Sequence, residues 1–570
     1  MAGPPPTDDA APALPFSQQL RSLSGVYWIA NWMELVERFA YYGVRVVLPV
    51  FMVAAFAAGG PELDHIQKGT IYAVWAIVQS FVPILSGGFA DTYGFKINIA
   101  ISTVLKIIGY LLMGFCIQLA EAMCGMSLAE ARPLGADWTY EIFFGGAMFL
   151  ATGTAIFKPG VQGLIANQMP KESASLGWGL FYQMVNIGGF IGPMLAGYLR
   201  ILDWTYVFIA CAIGIALNFI PLFFFKEPAH HGEGEKPKPL VLLYDAMRGL
   251  LEPRLFFFTI SFAGFWLMFY QLFDILPNFI DDWVDSRGAA TALIGFFGES
   301  VVPTVNGGNL PQEWMINFNA SLISLFAFAM GYLTGKVKSL HAIIVGILIS
   351  AVAIFGLGLS MSGWWVLGAI GLFSLGEMSA SPTKMRFLAR IAPKGKEGQY
   401  MGYANFTVGI GWSIGSVIAG NMYQEGGDKI VLARRYLVEV SGVDAAAVDA
   451  VSRSELLAFF ETTTGMDPWQ LRQVLWDTYE PGSMWLVFTA IGVASMIAIG
   501  LYSAVVTKAE KDAEHTFNTG NLKWVKATLV PILLIFIAAT VIKPSLGLGL
   551  NATFFGVMTL IAFFGKHDTA

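Results

Sequence analysis

The sequence predicts an all-α polytopic membrane protein, and three observations support that prediction. The chain has 570 residues, of which 55% are hydrophobic and only 13% are charged, about half the charged fraction of a typical soluble protein. The apolar residues are concentrated in blocks of about 20, the length of helix that crosses ~30 Å of hydrocarbon. A polar stretch, "KEPAHHGEGEKPKP" at 226–239, separates two groups of these blocks. We therefore expect two bundles of membrane-spanning helices joined by a linker.

The apolar blocks predict about fourteen spans, six before the polar stretch and eight after it. Their approximate limits are 25–56, 68–92, 96–120, 140–166, 173–199, 204–225, 254–282, 313–335, 341–361, 364–391, 397–422, 482–506, 524–545 and 549–566. The last two are the shortest and are also compatible with one re-entrant hairpin. The predicted organisation is a disordered cytoplasmic tail (1–24), an N-terminal six-helix bundle (25–225), a cytoplasmic linker (226–253), a C-terminal six-helix bundle (254–506) that contains an extracytoplasmic helical insertion (423–481), and an extra helical hairpin (507–570).

The distribution of basic residues predicts the orientation of the chain. Lysine and arginine are concentrated in one set of short loops, for example at Lys96, Lys171 and Lys394, whereas the opposite loops are acidic, as at Glu62 and Asp281. The positive-inside rule assigns the basic loops to the cytoplasm. We therefore expect a multi-pass protein of the cell membrane with both termini in the cytoplasm. The predicted outer loops contain no Asn-x-Ser/Thr sequon, which favours a bacterial source and hence an inner membrane.

Composition also argues against several classes of function. The formal net charge of −6 is spread over loops and indicates no nucleic-acid partner. The three cysteines, Cys116, Cys124 and Cys211, lie in apolar settings and are too few for a disulfide framework or a metal site. All six histidines fall in loops, span ends or tails, and no paired acids have metal-ligand spacing, so a membrane enzyme or a resident cofactor is not expected.

The first predicted span contains four charged residues, Glu34, Glu37, Arg38 and Arg45, within "NWMELVERFAYYGVRVVLPV" (31–50). Glu34, Arg38, Tyr41 and Arg45 follow helical spacing along one face, with Glu37 and Tyr42 beside them. Each charge inside a bilayer costs ~3 kcal/mol on insertion scales, so an unpaired set of this size is expensive. We expect these side chains to line a polar cavity; the alternative is a salt bridge that only stabilises packing.

Three later spans contain isolated polar residues. Lys158 precedes Pro159 in the fourth span, and Asn186 precedes a run of glycines that permits close helix contact in the fifth. Glu377 and Ser381 interrupt the apolar tenth span. Neither Lys158 nor Glu377 has an obvious partner on its own helix, so we expect functional roles for both. A hydrogen bond that only supports packing is an equally good interpretation of Asn186.

These motifs carry a resemblance to a known family. Glu34-x-x-Glu37-Arg38-Phe39-x-Tyr41-Tyr42-Gly43 resembles the first-helix signature of the proton-dependent oligopeptide transporter family of the major facilitator superfamily. Further matches, in the expected order, are Lys158-Pro159, Phe181-Tyr182-x-x-x-Asn186-x-Gly188 and Gly376-Glu377-x-x-x-Ser381-Pro382. The resemblance covers residues 25–422 and the twelfth span. It implies a major facilitator fold and the uptake of di- and tripeptides by alternating access, with the proton gradient as the only energy source and no cofactor. The expected partners are a short peptide or peptide-like molecule, protons and the lipid bilayer, and the expected state is a monomer.

The chain departs from the family pattern at several positions. The seventh-helix motif reads Phe265-Trp266-x-x-x-Tyr270-Gln271, so the family's glutamate is absent. Asn319 is followed by Ala320 where the family has Asn-Pro, and Ala404 stands where a tryptophan is expected on the eleventh helix. The extra pair of helices lies at the C-terminus, whereas many bacterial members carry it in the central linker. A reshaped pocket is expected, and ordinary dipeptide specificity is not assured by the resemblance.

The polar residues divide by charge between the two bundles. The cations Arg38, Arg45 and Lys158 belong to the first bundle and Glu377 to the second, so a zwitterionic peptide laid between them would point its carboxylate at the cations and its ammonium at Glu377. Two extended residues span ~7 Å, a plausible gap for such a cavity. The predicted substrate-binding residues are Arg38, Tyr41, Tyr42, Arg45, Lys158, Asn186, Trp266, Asn319, Glu377 and Ser381, and the predicted proton-coupling residues are Glu34, Glu37, Arg38 and Asp274.

Asp274 is included because it lies one helical turn, ~5.4 Å, beyond the position of the missing glutamate. We expect it to pair with Lys158 or Arg45 when the outer side closes. The alternative is that Asp274 lies in external water near Asp281 and Asp282.

Two other functions remain open at this stage. The same fold would also serve an exchanger or exporter of a peptide-like metabolite or drug, because "GFIGPMLAG" resembles glycine-proline patterns of facilitator antiporters. A transporter-like receptor, with the 423–481 insertion as its sensing part, is the other alternative.

Overall fold

The computed structural model describes residues 15–226, 239–392, 397–510 and 522–565, apart from the side chains of a few helical residues, chiefly 87–93. No β-strand occurs in this described part of the chain. Its fourteen long helices, in chain order, are α1 (Gly25–Phe51), α2 (His65–Tyr93), α3 (Phe95–Gly114), α4 (Thr139–Asn167), α5 (Ala174–Leu202), α6 (Trp204–Ala216), α7 (Pro253–Phe269), α8 (Gln312–Gly335), α9 (Ser339–Leu357), α10 (Gly363–Ile391), α11 (Glu397–Gly426), α12 (Met484–Glu510), α13 (Lys523–Ile542) and α14 (Leu546–Phe564).

Eleven helices of the described part are long and apolar enough to cross a membrane. The other three long helices, α1, α10 and α11, are of similar length but contain the charged or polar side chains of the site described below. The predicted all-α polytopic fold is confirmed. Because successive spans alternate in direction, the helix Pro239–Leu250, which comes after α6, and the insertion at 427–483, which follows α11, lie on opposite sides. We call these the linker side and the insertion side.

Each half of the chain forms a bundle around its own helix pairs. In the first half, α1 packs against α5 and α3 against α4; in the second, α9 packs against α10 and α7 against α12. The most extensive contacts between the halves join α2 with α11 and α5 with α8. Glycines permit the closest approaches, since a Cβ at Gly188 or Gly192 would collide with the backbone of α1 at Leu35 or Phe39.

Several segments between the long helices are themselves helical. Residues 1–14 of the predicted disordered tail lie outside the described residues, but the prediction is wrong for Phe16–Ser22, which form a helix. Part of the predicted linker, Pro239–Leu250, is also a helix, and 227–238 are not described. The insertion contains Lys429–Glu439, Ala445–Asp449, Leu456–Thr464 and Pro468–Tyr479. Shorter helices are Cys116–Cys124, Leu128–Ala131, Gln271–Asp274, Leu276–Trp283 and Arg287–Phe297.

The C-terminal helices α13 and α14 lie over the junction of the two bundles. They pack against each other, and α14 also contacts α2 and α11. Asn551 of α14 donates a hydrogen bond to Ser413 of α11 at 2.8 Å. Each helix is long and apolar enough to cross a membrane on its own, so two full spans fit these residues better than one re-entrant hairpin.

Candidate functional site

The charged residues of α1 form a buried network with a lysine from α3. Arg38 Nε lies 3.2 Å from Glu34 Oε1, and Arg38 Nη2 contacts Glu37. The second oxygen of Glu37 is 3.3 Å from Nζ of Lys106. Glu37 and Lys106 are fully buried, and Glu34 and Arg38 almost fully. Because two carboxylates face two cations, this cluster balances its own charge, which limits the cost of burying it.

Lys106 is a member of this network that the sequence analysis missed. It lies on α3 within "AISTVLKIIGY", and its ammonium also packs 3.8 Å from the centroid of the Phe157 ring. A lysine in the middle of an otherwise apolar span is the signal that identifies it, because such a residue is costly unless it is paired.

Lys158 lies beside the network but is not paired within it. Its side chain is partly exposed, and among the described residues no carboxylate lies within 4 Å of its ammonium. Glu34, Glu37 and Arg38 are all close enough to act on it electrostatically. Lys158 therefore has free donor capacity toward a ligand.

Two tyrosines extend the polar face of α1. The guanidinium of Arg38 lies 5.1 Å from the ring centroid of Tyr41 and 5.7 Å from that of Tyr42. The hydroxyl of Tyr41 also hydrogen-bonds to the side chain of Gln79 on α2, at 3.4 Å. These rings provide apolar faces with polar tips next to a charge, an arrangement suited to a peptide backbone.

Arg45 and Asp274 join the two bundles. The structure brings Asp274 into contact with Arg45, and not with Lys158, and Asp274 is only 1% exposed. Ser416 donates to Asp274 Oδ2 at 2.7 Å, and Trp412 Nε1 at 3.0 Å. Arg45 also packs 4.1 Å from the ring centroid of Tyr72. The carboxylate is thus enclosed by donors from two helices, α1 and α11, and is remote from bulk water.

Trp412 is a second residue that the sequence analysis missed. Its ring stacks on Tyr270 with centroids 4.2 Å apart and planes 5° apart. Tyr270 occupies the position of the family's seventh-helix glutamate, and α7 ends there before the short helix Gln271–Asp274 begins. A tryptophan is therefore present on α11, but eight residues beyond Ala404.

The acidic centre of the second bundle has only neutral partners. Asn319 donates from Nδ2 to Glu377 Oε2 at 3.0 Å and lies at the same distance from Ser374 Oγ. Glu377 is partly buried, and among the described residues no cation lies within 4 Å of it. Ser381 lies one turn further along α10, also partly buried. Glu377 thus differs from the glutamates of the network on α1, each of which meets a cation.

Asn186 and Trp266 each have an unsatisfied polar group. Asn186 is partly buried on α5, and its amide nitrogen has no acceptor in the described part of the chain. Trp266 is 6% exposed on α7, and its indole nitrogen also lacks one there. Buried donors are normally satisfied, so both are available to a ligand or to water.

Lys384 is a third missed residue, seven positions after Glu377 on α10. Its ammonium lies 4.4 Å from the ring centroid of Trp266 and 5.8 Å from that of Phe262. The side chain is 5% exposed.

The insertion side of the gap between the bundles is closed by polar contacts. Arg200 of α5 pairs with Glu313 of α8 at 2.9 Å, and Lys68 of α2 contacts Asn278 at 2.6 Å. Asn278 also donates to the carbonyl oxygen of Pro49 at 2.8 Å. Together with the pair of Arg45 and Asp274, these contacts tie both halves together on that side.

The insertion is anchored next to this closed side. Asp428, which caps the helix Lys429–Glu439, lies 3.2 Å from Nε2 of His65 and 2.8 Å from Nη2 of Arg453. Burial favours the neutral acid, but the hydrogen bond from His65 and the charge of Arg453 outweigh burial and hold the pKa of Asp428 below its usual range. The ionised carboxylate thus links α2, α11 and the insertion.

Comparisons with known proteins agree with this architecture. A sequence profile of the Major Facilitator Superfamily matches residues 32–303. "Peptide transporter YePEPT" of Yersinia enterocolitica subsp. palearctica serotype O:3 (strain YE-P4) is 24% identical over 450 residues, which cover 67% of this chain and 83% of that protein. "Multidrug resistance protein MdtH" of Shigella dysenteriae serotype 1 (strain Sd197) is 20% identical over 421 residues, which cover 72% of this chain and 88% of that protein.

A solved structure has the same fold. It is the crystal structure of a POT family transporter in complex with 5-aminolevulinic acid, and it superposes with a TM-score of 0.55 and 18% identity over 78% of this chain and 100% of that chain. The same family is indicated by four observations: the first-helix motif, the charged residues of α4 and α10, the two bundles and these similarities. The chain is therefore similar to major facilitator proteins and, among these, to transporters of the proton-dependent oligopeptide transporter family.

Proposed function

We propose that the protein is a proton-coupled symporter that takes up di- and tripeptides, or peptide-like zwitterions, by alternating access. The observation that supports this best is the opposite charge of two incompletely paired groups on facing bundles. Lys158 on α4 lacks a close carboxylate among the described residues, and Glu377 on α10 has only Asn319 and Ser374 as close polar partners there. The similarity to a peptide transporter supports the same substrate class.

A zwitterion laid between the bundles satisfies both groups. Its carboxylate pairs with Lys158 and the nearby arginines, and its ammonium pairs with Glu377. Tyr42 connects the two regions, since it packs on Arg38 and is also close enough to Glu377 to interact with it electrostatically. The similar transporter solved with 5-aminolevulinic acid, a molecule with one amine and one carboxylate, fits this arrangement. A ligand bound to both bundles draws them together and favours closure.

Proton coupling is assigned to the network on α1. Glu37 contacts both Arg38 and Lys106, and Glu34 contacts Arg38. When a substrate carboxylate attracts Arg38, the glutamates lose part of their stabilisation as anions and bind a proton more readily. Proton uptake and substrate binding are then linked through one arginine.

The pair of Arg45 and Asp274 is assigned to the outer gate. The insertion side then faces outward and the linker side, with both termini, faces the cytoplasm, as the basic loops predict. Asp274 replaces the glutamate that α7 lacks, although it pairs with Arg45 of α1 and not with Lys158. We propose that the protein works as a monomer, without a cofactor and without enzymatic activity.

Uptake by proteoliposomes tests this proposal. Vesicles that contain the purified protein should accumulate a labelled dipeptide when the outside is acidic, and a proton ionophore should abolish the accumulation. Binding of the same dipeptide is measured first by thermal shift. A protein that binds peptides but accumulates none under a proton gradient is not a symporter.

A second candidate function is export or exchange of a peptide-like metabolite or drug. The similarity to a multidrug resistance protein over 72% of this chain favours it. The same vesicles distinguish the two, because an exchanger moves labelled substrate only when a counter-substrate is present on the other side, whatever the pH gradient. A receptor would bind its ligand and transport nothing in either assay.

A further inference from the structure

We propose that Lys384 forms an anion subsite that selects peptides with an acidic side chain. This inference rests on the proposed function and names the substrate class of the same pocket. The observation that carries it is a buried ammonium that lacks an ionic partner and lies beside a second unsatisfied donor.

The surroundings of Lys384 leave its charge uncompensated. In the described part of the chain, no carboxylate lies within 4 Å of its ammonium, and its one hydrogen bond, to the carbonyl oxygen of Ala404, is long at 3.5 Å. The remaining contacts are with the faces of Trp266 and Phe262. Aromatic faces attract a cation but do not replace its hydrogen bonds, so a buried lysine in this setting is costly unless a ligand compensates it.

A second donor lies at the same place. The indole nitrogen of Trp266, whose ring packs on Lys384, has no acceptor among the described residues. An ammonium and a neighbouring N–H group together bind a carboxylate better than either does alone, because charge-assisted hydrogen bonds are the stronger ones. The pair therefore fits an anionic group.

The position of Lys384 places this subsite within reach of a bound peptide. Seven residues separate it from Glu377 on α10, so the two lie on nearly the same face and about 10.5 Å apart along the helix. The backbone of a dipeptide spans ~7 Å, and an acidic side chain adds a few more ångströms. A peptide whose ammonium binds Glu377 can therefore direct a side-chain carboxylate to Lys384.

The reshaping of α11 is consistent with this assignment. Ala404 stands where the family resemblance leads one to expect a tryptophan, and its backbone carbonyl contacts Lys384. A small residue at that position leaves room for the long lysine side chain. The aromatic ring beside this subsite then comes from Trp266 on α7, and not from the position of Ala404 on α11.

The test compares acidic and neutral peptides of equal shape. We expect purified wild-type protein to bind Ala-Glu or Glu-Ala at least about tenfold more tightly than the matching Ala-Gln or Gln-Ala, since a charged hydrogen bond in a dry site is worth a factor of this order or more. In Lys384→Met the ratio of dissociation constants should fall to near one. Lys384→Arg should preserve the preference for the acidic peptide, and Lys338→Met, at an exposed surface position, should leave the ratio at its wild-type value.

The ratio is measured within each variant, so a general loss of affinity or stability does not imitate the effect. Wild-type protein that binds the acidic and neutral peptides equally overturns the subsite but leaves the proposed function intact. Wild-type protein that binds no peptide overturns both. If Lys384→Met keeps the acidic preference but loses proton-driven accumulation, Lys384 belongs to coupling and the subsite is wrong.

Discussion

The two bundles handle buried charge in different ways. In the first bundle, Glu34, Glu37, Arg38 and Lys106 form a network in which each charge meets an opposite one. In the second, Glu377 and Lys384 lie on one helix with only neutral or aromatic close partners among the described residues. Lone charges inside a membrane are expensive and are retained for function. The network on α1 and α3 therefore balances its charges without a ligand, whereas Glu377 and Lys384, like Lys158 beside the network, are charges that a ligand could complete.

The largest effect is expected when the network loses the carboxylate of Glu37, which contacts both Arg38 and Lys106. Glu37→Gln leaves a side chain of the same shape that cannot carry a proton, so accumulation driven by a pH gradient should fall to background. Counterflow exchange of labelled for unlabelled peptide should survive, because it needs no net proton movement. Vesicle assays of both kinds measure this. Normal proton-driven uptake by the variant would reduce the network to a structural role.

Stability measurements on matched variants test whether the two bundles differ in the pairing of their buried charges. Glu37→Gln leaves Arg38 and Lys106 short of a counter-charge in a buried site and should cost ~3–5 kcal/mol of unfolding free energy. Glu377→Gln removes a charge that has no ion pair, and its amide oxygen still accepts from Asn319, so its stability should be close to wild type. Thermal unfolding in detergent measures both. Equal losses would mean that the bundles do not differ in this way.

Ligand polarity gives the next effect. Glu377→Gln should weaken binding of peptides with a free amine by ~2–5 kcal/mol, since a charged pair in a dry site loses one partner. Binding of the N-acetylated peptide should change little. The affinity ratio of free to acetylated peptide, measured by thermal shift or calorimetry, reports the change. A ratio equal to that of wild type would show that Glu377 does not bind the ammonium.

A moderate effect is expected at the contact between the bundles. Asp274→Asn removes the charge that faces Arg45 and should favour the state that is open on the insertion side. Proton-driven uptake should slow severalfold, because every transport cycle needs the outer side to close. Labelling of an engineered cysteine near Arg200 and Glu313 reports the opening. Wild-type transport and labelling would show that this pair does not control the gate.

The comparison also explains what the sequence could predict. The network on α1 is visible because Glu34, Glu37 and Arg38 lie within two turns of one helix, so helical spacing alone brings them together. Its fourth member, Lys106, comes from α3, and helical spacing says nothing about contacts between helices. The sequence identifies Asp274 as a candidate, but packing decides whether it meets Arg45 or Lys158.

The residues that sequence reasoning missed share one property. Lys384 and Trp412 acquire their roles from side chains on another helix, Trp266 in one case and Tyr270 in the other. A lysine in the middle of an apolar span, such as Lys106, can be recognised in the sequence, since its charge needs some compensation. A tryptophan in an apolar span cannot be recognised in this way, because it is an ordinary packing residue. The sequence pattern alone therefore cannot identify Trp412.

The smallest predicted effect concerns Trp412 and separates its two contacts. Trp412→Phe keeps an aromatic ring to stack on Tyr270 but removes the indole N–H that donates to Asp274 at 3.0 Å. Ser416 and Arg45 continue to bind the carboxylate, so the loss should be that of one hydrogen bond to a charged group, ~1.5–3 kcal/mol at most. Uptake should therefore slow less than in Asp274→Asn and in the same direction, toward the state open on the insertion side. Trp412→Leu is the matched control, since it removes the stack as well. If Trp412→Phe takes up peptide like wild type and Trp412→Leu does not, the tryptophan supports Tyr270 and not the charge pair. If uptake by Trp412→Phe slows as much as in Asp274→Asn, the indole is as important to the gate as the charge.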